Sequence, residues 1–172
     1  RNCRQAWQMC QACGDRRGEA YALLKLGSAQ FEGGETGPAL ASFDAARALF
    51  ETLDQASQAA EALAQATLCE ATLGRRPAAE TALSTMLQRL AERRSSTPHS
   101  SIDIQWACYR ALELLGDPRA EALLAQAHAD VQARAAELTG PDDRKRLIQA
   151  HPGMRRLAQA YRRAQGGPAR AG

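Results

Sequence analysis

The sequence predicts an all-α fold: a right-handed α-solenoid of helical hairpins, closed by a pair of C-terminal capping helices. Aromatic residues make up only 5% of the chain, while alanine and leucine are abundant and β-branched residues sparse. That composition favours closely packed helices over sheets. Gly34, Gly74 and Gly116 recur at intervals of 40 and 42 residues between helical patterns, and a proline follows each within four residues. Glycine at a helix end and proline near the next helix start are typical of repeated helix–turn–helix units, which stack to bury a continuous core.

Helical spacing of apolar residues predicts nine helices along the chain, at residues 2–13, 18–32, 37–52, 55–73, 76–93, 101–115, 118–138, 142–150 and 152–165. The clearest apolar stripe lies on the third helix and consists of Leu40, Phe43, Ala46, Leu49 and Phe50. A similar stripe lies on the fifth helix and consists of Ala79, Leu83, Met86, Leu87 and Leu90. Each stripe marks the helix face that packs against its neighbours.

The segment "RRSSTPHSS", residues 93–101, is polar and contains Pro98, so we expect a loop there. Ser100 or Ser101 can cap the following helix, with Asp103 in its first turn. The last residues, 166–172, are rich in glycine and are predicted to be disordered.

Charge divides the chain into two parts. Residues 1–140 carry 14 basic and 17 acidic side chains, whereas residues 141–172 carry 8 basic and 2 acidic ones. We therefore predict helical repeats over 1–140 and capping helices over 141–165, with Leu147, Ile148, Met154, Leu157 and Tyr161 on the apolar side of that pair. Arg155 and Arg162, seven residues apart, share another face.

The chain opens directly on a helical pattern at Arg1, as a piece of a longer protein would. It shows no signal peptide at its start and no apolar run as long as a membrane span. We expect a cytoplasmic protein without a membrane association. Its five cysteines are then expected to be reduced.

The stretch "YALLKLGSAQFEGGETGPALASFDAARALFE" resembles a tetratricopeptide repeat. Leu23, Leu26 and Gly27 match the first-helix signature of that family, and the second-helix pattern of small and large residues is matched by Ala39, Phe43 and Ala46. Two further segments, 55–93 and 101–138, match more weakly. The period of 40 to 42 residues is longer than that of the usual repeat, which indicates lengthened helices. Such repeats are similar to the C-terminal regions of large bacterial signalling proteins, namely STAND-type ATPases, LuxR-type regulators and nucleotide-cyclase fusions.

No catalytic, cofactor or metal site is predicted. Cys3, Cys10 and Cys13 lie within about 80° of one another on the first helix, but no fourth ligand follows at zinc-finger spacing. We interpret them as small hydrophobic residues on a buried helix face. The three histidines fall in different helices or loops and form no nucleophilic set with a carboxylate, so an enzyme is not expected.

The tetratricopeptide resemblance implies a concave groove lined by the first helix of each hairpin. In this sequence those positions are Tyr21, Lys25, Ser28, Glu61, Gln65, Leu68, Asp103, Trp106 and Arg110. The implied role is a scaffold that binds a protein, a peptide or another domain of the same parent chain, or that forms a homo-oligomer. Two alternatives are a nucleic-acid-binding module acting through residues 141–172 and a small-molecule-sensing module of a transcriptional regulator. Nucleic acid is the weaker partner, because no recognition motif accompanies the arginines.

Overall fold

A computed structural model describes residues 2–96 and 102–166, and within these residues it contains nine α-helices and no β-strand. The helices are α1 (Asn2–Cys13), α2 (Arg16–Glu32), α3 (Thr36–Thr52), α4 (Ala56–Thr72), α5 (Arg76–Ser96), α6 (Ile102–Leu115), α7 (Arg119–Ala136), α8 (Pro141–Ala150) and α9 (Pro152–Gly166). The predicted all-α class is confirmed. Each predicted helix is present, with ends within three residues of the prediction.

Five of the turns that the structure describes between helices share one hydrogen-bonding pattern. At the end of α2, Gly34 adopts a left-handed conformation with φ of 82°. Its N–H donates to the Phe31 carbonyl, and the next N–H, of Glu35, donates to the Gln30 carbonyl. This pair of bonds satisfies carbonyl groups that a helix end leaves without an intrahelical partner. The same pair recurs with left-handed residues at 14, 54, 74 and 116.

The spacing of these turns defines the repeating element. Left-handed residues occur at 14, 34, 54 and 74, each 20 positions after the one before. The element is therefore one helix with its turn, and two such elements make up the 40-residue interval between Gly34 and Gly74. The sequence analysis predicted a break between helices at residues 53–54, but it did not identify Asp54, which has φ of 53°, as the left-handed residue of that turn.

The chain forms two compact units, residues 1–89 and 90–172. In the first unit α1 packs against α2, α2 against α3 and α3 against α4, and α2 also contacts α4. The core of these four helices combines alanines with a few large side chains; its buried members include Leu23, Leu24, Leu40, Phe43 and Phe50. Alanines at the contacts allow the helices to approach closely around these larger residues.

The closest contact between α2 and α3 is formed by Gly27 and Phe43. A Cβ atom added to Gly27 would lie 2.8 Å from the Cε1 atom of Phe43 and 2.9 Å from its Cδ1 atom. Both residues are buried, and Phe43 is only 1% exposed. The ring of Phe43 thus leaves room only for glycine at position 27, although glycine is a poor helix former.

The interpretation of the α1 cysteines as buried residues is wrong. The helix α1 contains no buried residue; Cys3 and Cys10 are half-buried and Cys13 is exposed. The remaining cysteines, Cys69 and Cys108, are the buried ones. Burial raises the pKa of each of these two thiols to about 12.

In the second unit α6 and α7 pack against each other, α9 contacts both, and α8 contacts α7 and α9. The apolar side of α9 provides Met154 and Leu157, which are 3% and 0% exposed. On the predicted apolar side of the C-terminal pair, Leu147, Ile148 and Tyr161 are half-buried. These contacts attach the basic C-terminal helices to the α6–α7 hairpin.

Part of the predicted loop at 93–101 is helical instead, because α5 continues to Ser96. Residues 97–101, including the predicted caps Ser100 and Ser101, lie outside the described residues, although Asp103 does fall in the first turn of α6. In the predicted disordered tail, Gly166 ends α9 and 167–172 also lie outside them. Of the helices described, none has both the length and the apolar character needed to cross a membrane.

We predict that Gly27→Ala destabilises the first unit. Alanine improves helix propensity by up to about 1 kcal/mol, but overpacking against Phe43 costs about 1–3 kcal/mol. The free energy of unfolding, measured by urea denaturation, should therefore fall. The control is Gly37→Ala in α3, where an added Cβ meets no atom within 4 Å. That variant should be as stable as the parent or slightly more stable; equal effects of the two substitutions would contradict the close-contact explanation.

Candidate functional site: two clefts beside the C-terminal helix

The amino terminus of α9 is held against α6 by His151 and Gly153. The Nδ1 atom of His151 accepts a hydrogen bond from the Met154 N–H (3.4 Å), and its Nε2 atom lies 4.0 Å from Oδ2 of Asp103 on α6. Gly153 is packed so closely on Asp103 and Ile102 that no side chain fits at that position without movement of its neighbours. The direction of α9 relative to α6 is therefore fixed where α9 begins.

Two adjacent arginine pairs, Arg155–Arg156 and Arg162–Arg163, give α9 its charge pattern. Neighbouring residues are about 100° apart around a helix, and residues seven apart lie on nearly the same face. Arg155 and Arg162 therefore form one row, and Arg156 and Arg163 form a second row. The structure confirms the predicted shared face of Arg155 and Arg162, and each row lines a different cleft.

The cleft lined by Arg156 and Arg163, which we call the α6–α9 cleft, has a volume of about 560 Å³. Its larger side chains are Trp106, Tyr109, Arg110, Glu113, Arg156 and Arg163. The indole of Trp106 is half-buried and lies 5.7 Å from the ring of Tyr109, centroid to centroid. This cleft thus combines an aromatic surface with three guanidinium groups.

Glu113 organises the polar side of the α6–α9 cleft. It accepts a hydrogen bond from the Tyr109 hydroxyl (2.8 Å) and forms an ion pair with Arg110. The Arg110 guanidinium lies 5.9 Å from the centre of the Trp106 ring, within the range of a cation–π contact. Burial, reinforced by the hydrogen bond to Glu113, raises the pKa of Tyr109 to about 12. Tyr109 therefore remains a neutral donor at physiological pH.

The cleft lined by Arg155 and Arg162, which we call the α7–α9 cleft, has a volume of about 660 Å³. Its polar lining includes His128, Gln132, Lys145, Gln149, Arg155 and Arg162, which come from α7, α8 and α9. The His128 ring is stacked on the Tyr161 ring, with centroids 3.9 Å apart and planes 3° from parallel. Burial lowers the pKa of His128 below its usual value of 6.5, so the ring is predominantly neutral at pH 7.

Of the nine predicted groove residues, the structure brings Trp106 and Arg110 together at the α6–α9 cleft. Asp103, one turn earlier on α6, is half-buried beside His151. The prediction from helical register thus placed these three residues on the side of α6 that faces α9. It did not identify the α9 arginines as part of the same surface.

The remaining six predicted residues belong to the first unit. Tyr21 is half-buried, packs edge-to-face on Phe50 with centroids 5.1 Å apart, and accepts a hydrogen bond from Gln58. Ser28 donates to the Leu24 carbonyl within α2. Of the other four, Lys25 is exposed and Leu68 is buried. Glu61 and Gln65 are half-buried.

Sequence reasoning missed the role of Lys145 and His128. The two residues are 17 positions apart on different helices, and they line one cleft only because α8 and α9 fold back onto α7. The signal that could have suggested such a site is the seven-residue repetition of the arginine pairs, which the sequence analysis assigned to a solvent-exposed face of a capping helix.

Residues 2–96 and 102–166 contain no group of three or more histidine, cysteine or acidic side chains placed to hold a metal ion. A scan against protein-family models, a search of curated proteins and a search of solved structures found no match to this chain.

We predict that His128 makes stability depend on pH below 6.5. Because its pKa is lower in the folded chain than in the unfolded chain, the unfolded chain binds the proton first as pH falls. The free energy of unfolding should therefore decrease from pH 6.5 down to the folded-state pKa. His128→Phe keeps a ring on Tyr161 but cannot titrate, and it should show a smaller decrease in urea denaturation over this range. An identical pH dependence in both proteins would contradict the effect of burial on His128.

Proposed function

We propose that the chain is a non-catalytic helical-repeat module, a right-handed α-solenoid of tetratricopeptide-like hairpins, that binds an acidic segment of a partner protein at the α6–α9 cleft. The partner segment would come from a separate protein or from another domain of a larger regulatory chain. Repetition of one helix and one turn every 20 residues over positions 14–74 supports the helical-repeat part of the proposal.

The observation that carries the proposal is the set of side chains in the α6–α9 cleft. Tryptophan, tyrosine and arginine are the residue types that most often dominate binding energy at protein interfaces. Here Trp106, Tyr109 and three arginines share one concavity. The internal contacts of Arg110 with Trp106 and Glu113 hold these groups in place before a partner binds, which reduces the entropy lost on binding.

Charge selects the kind of segment. Arg110, Arg156 and Arg163 face a single lining carboxylate, Glu113, which already pairs with Arg110. The cleft therefore has an excess of positive charge, and a segment with aspartate or glutamate near an apolar side chain would satisfy both the arginines and the indole.

A protein segment fits this cleft better than nucleic acid does. Nucleic-acid affinity arises chiefly from many cation–phosphate contacts along an extended backbone. The α6–α9 cleft offers only three arginines in one concavity, and one of them, Arg110, is already paired with Glu113. A short peptide can direct its acidic groups toward Arg156 and Arg163 and place an apolar group near Trp106.

We predict that random peptides selected for binding to the full chain will be enriched in acidic residues next to an apolar residue. Arg163→Glu should weaken binding of a selected peptide at least about tenfold, as measured by fluorescence anisotropy. Trp106→Ala should weaken it similarly, whereas Trp106→Phe should retain most of the affinity. Circular dichroism should show unchanged helicity in all variants.

The matched control is Arg162→Glu, which makes the same charge change at the adjacent position but faces the other cleft. Peptide affinity should change by no more than about twofold in this variant. Selected peptides without acidic residues, or equal losses in the two variants, would contradict the proposal. Binding of duplex DNA that persists at about 200 mM salt and is lost in Arg163→Glu would favour nucleic acid instead.

A further inference from the structure

The α7–α9 cleft differs from the α6–α9 cleft in its charge. Lys145, Arg155 and Arg162 line it, and its lining includes no carboxylate. Within the part of the chain that the structure describes, none of these three cations forms an ion pair with an acidic side chain, whereas Arg75, Arg76 and Arg119 do. Three like charges around one concavity repel one another and raise the local concentration of anions.

Backbone contacts orient the two guanidinium groups. The Nη1 atom of Arg155 donates to the Gln149 carbonyl, and Nε of Arg162 donates to the Ala158 carbonyl, both at 3.3 Å. Each bond uses one of the five N–H donors of a guanidinium, so most donors remain for a ligand. The seven-residue separation corresponds to about 10 Å along the helix axis. From these two starting points the long side chains can each meet a different anionic group of one ligand.

His128 and Gln132 form the α7 side of the same cleft. The ring nitrogen Nε2 of His128 lies 3.2 Å from the Gln132 amide nitrogen, and the stack on Tyr161 fixes the plane of the ring. The amide of Gln149 adds a further polar group from α8. Together these residues add neutral hydrogen-bonding groups to the cleft that the cations of α8 and α9 also line. The volume of about 660 Å³ falls within the range of small-molecule sites.

We propose that the α7–α9 cleft binds a small molecule that carries a diphosphate group, with Arg155 and Arg162 on different phosphoryl groups and Lys145 as the third cation. A terminal phosphoryl group carries about −1.5 to −2 charges at neutral pH, and the second phosphoryl group adds further negative charge, so a diphosphate matches three cations better than a dicarboxylate does. Guanidinium groups pair with phosphoryl oxygens through two parallel hydrogen bonds. The diphosphate can be free or part of a nucleotide.

The test is isothermal titration calorimetry of the full chain with inorganic pyrophosphate and with ADP, alongside inorganic phosphate and AMP. Pyrophosphate, ADP or both should bind saturably with one-to-one stoichiometry, and the singly phosphorylated compounds should bind at least about tenfold more weakly. A higher affinity for ADP than for pyrophosphate identifies a nucleotide site, and an equal or lower affinity identifies a site for the diphosphate itself. The NMR signals of the His128 ring should move during the same titration.

Arg162→Glu should reduce this affinity at least about tenfold, and Lys145→Gln should reduce it without reversing a charge. Arg163→Glu is the matched control, because it changes the net charge equally but faces the α6–α9 cleft. Its affinity for the diphosphate ligand should stay within about twofold of the parent.

The absence of saturable binding, or equal losses in Arg162→Glu and Arg163→Glu, would overturn the diphosphate site. Equal binding of phosphate and pyrophosphate would also overturn it, because the cleft would then not span two phosphoryl groups. Peptide binding and diphosphate binding depend on different arginines, so the failure of either proposal leaves the other separately testable.

Discussion

The packing of α9 onto α6 and α7 is the contact on which both clefts depend. Met154 and Leu157 are almost completely buried, and Gly153 allows the first turn of α9 to lie directly against Asp103 and Ile102. With this narrow apolar face turned inward, the adjacent arginines on either side of it are directed to opposite flanks of the helix. A cleft lies along each flank, so one short helix provides a row of two arginines to each of two surfaces.

The sequence was sufficient to predict the helices because local signals determine where they begin and end. Gly34, Gly74 and Gly116 marked turns through a conformation that other residues rarely adopt, and the structure gives all three a positive φ. The break at residues 53–54 was predicted but was not grouped with the glycine turns, because its left-handed residue is an aspartate, which tolerates this conformation but is common elsewhere. The cysteines of α1 show a further limit, since helical register groups residues on a face without revealing whether a neighbour covers it.

The candidate site was only partly predictable for a related reason. Helical spacing on α6 correctly grouped Trp106 with Arg110, because that relationship lies within one helix. Tyr21 and Ser28 showed equally suitable spacing on α2, yet their polar groups form hydrogen bonds with Gln58 and with the Leu24 carbonyl. The association of Lys145 with His128 depends on how three helices pack, and no pattern within a single helix encodes that arrangement.

The charge on α9 is difficult to explain by the stability of the fold alone. The helix contains four arginines and no acidic residue, so it has no internal ion pairs to offset their repulsion. Arg162 and Arg163 lie near its carboxyl terminus, where the helix dipole stabilises positive charge. Arg155 and Arg156, by contrast, lie close to the amino terminus, where the dipole disfavours it. Since Met154 and Leu157 already provide the apolar contact that packs the helix, this packing does not require arginine at 155 and 156. Their placement, each within a different cleft, is instead what we expect if the anionic ligands that we propose for the two clefts bind there.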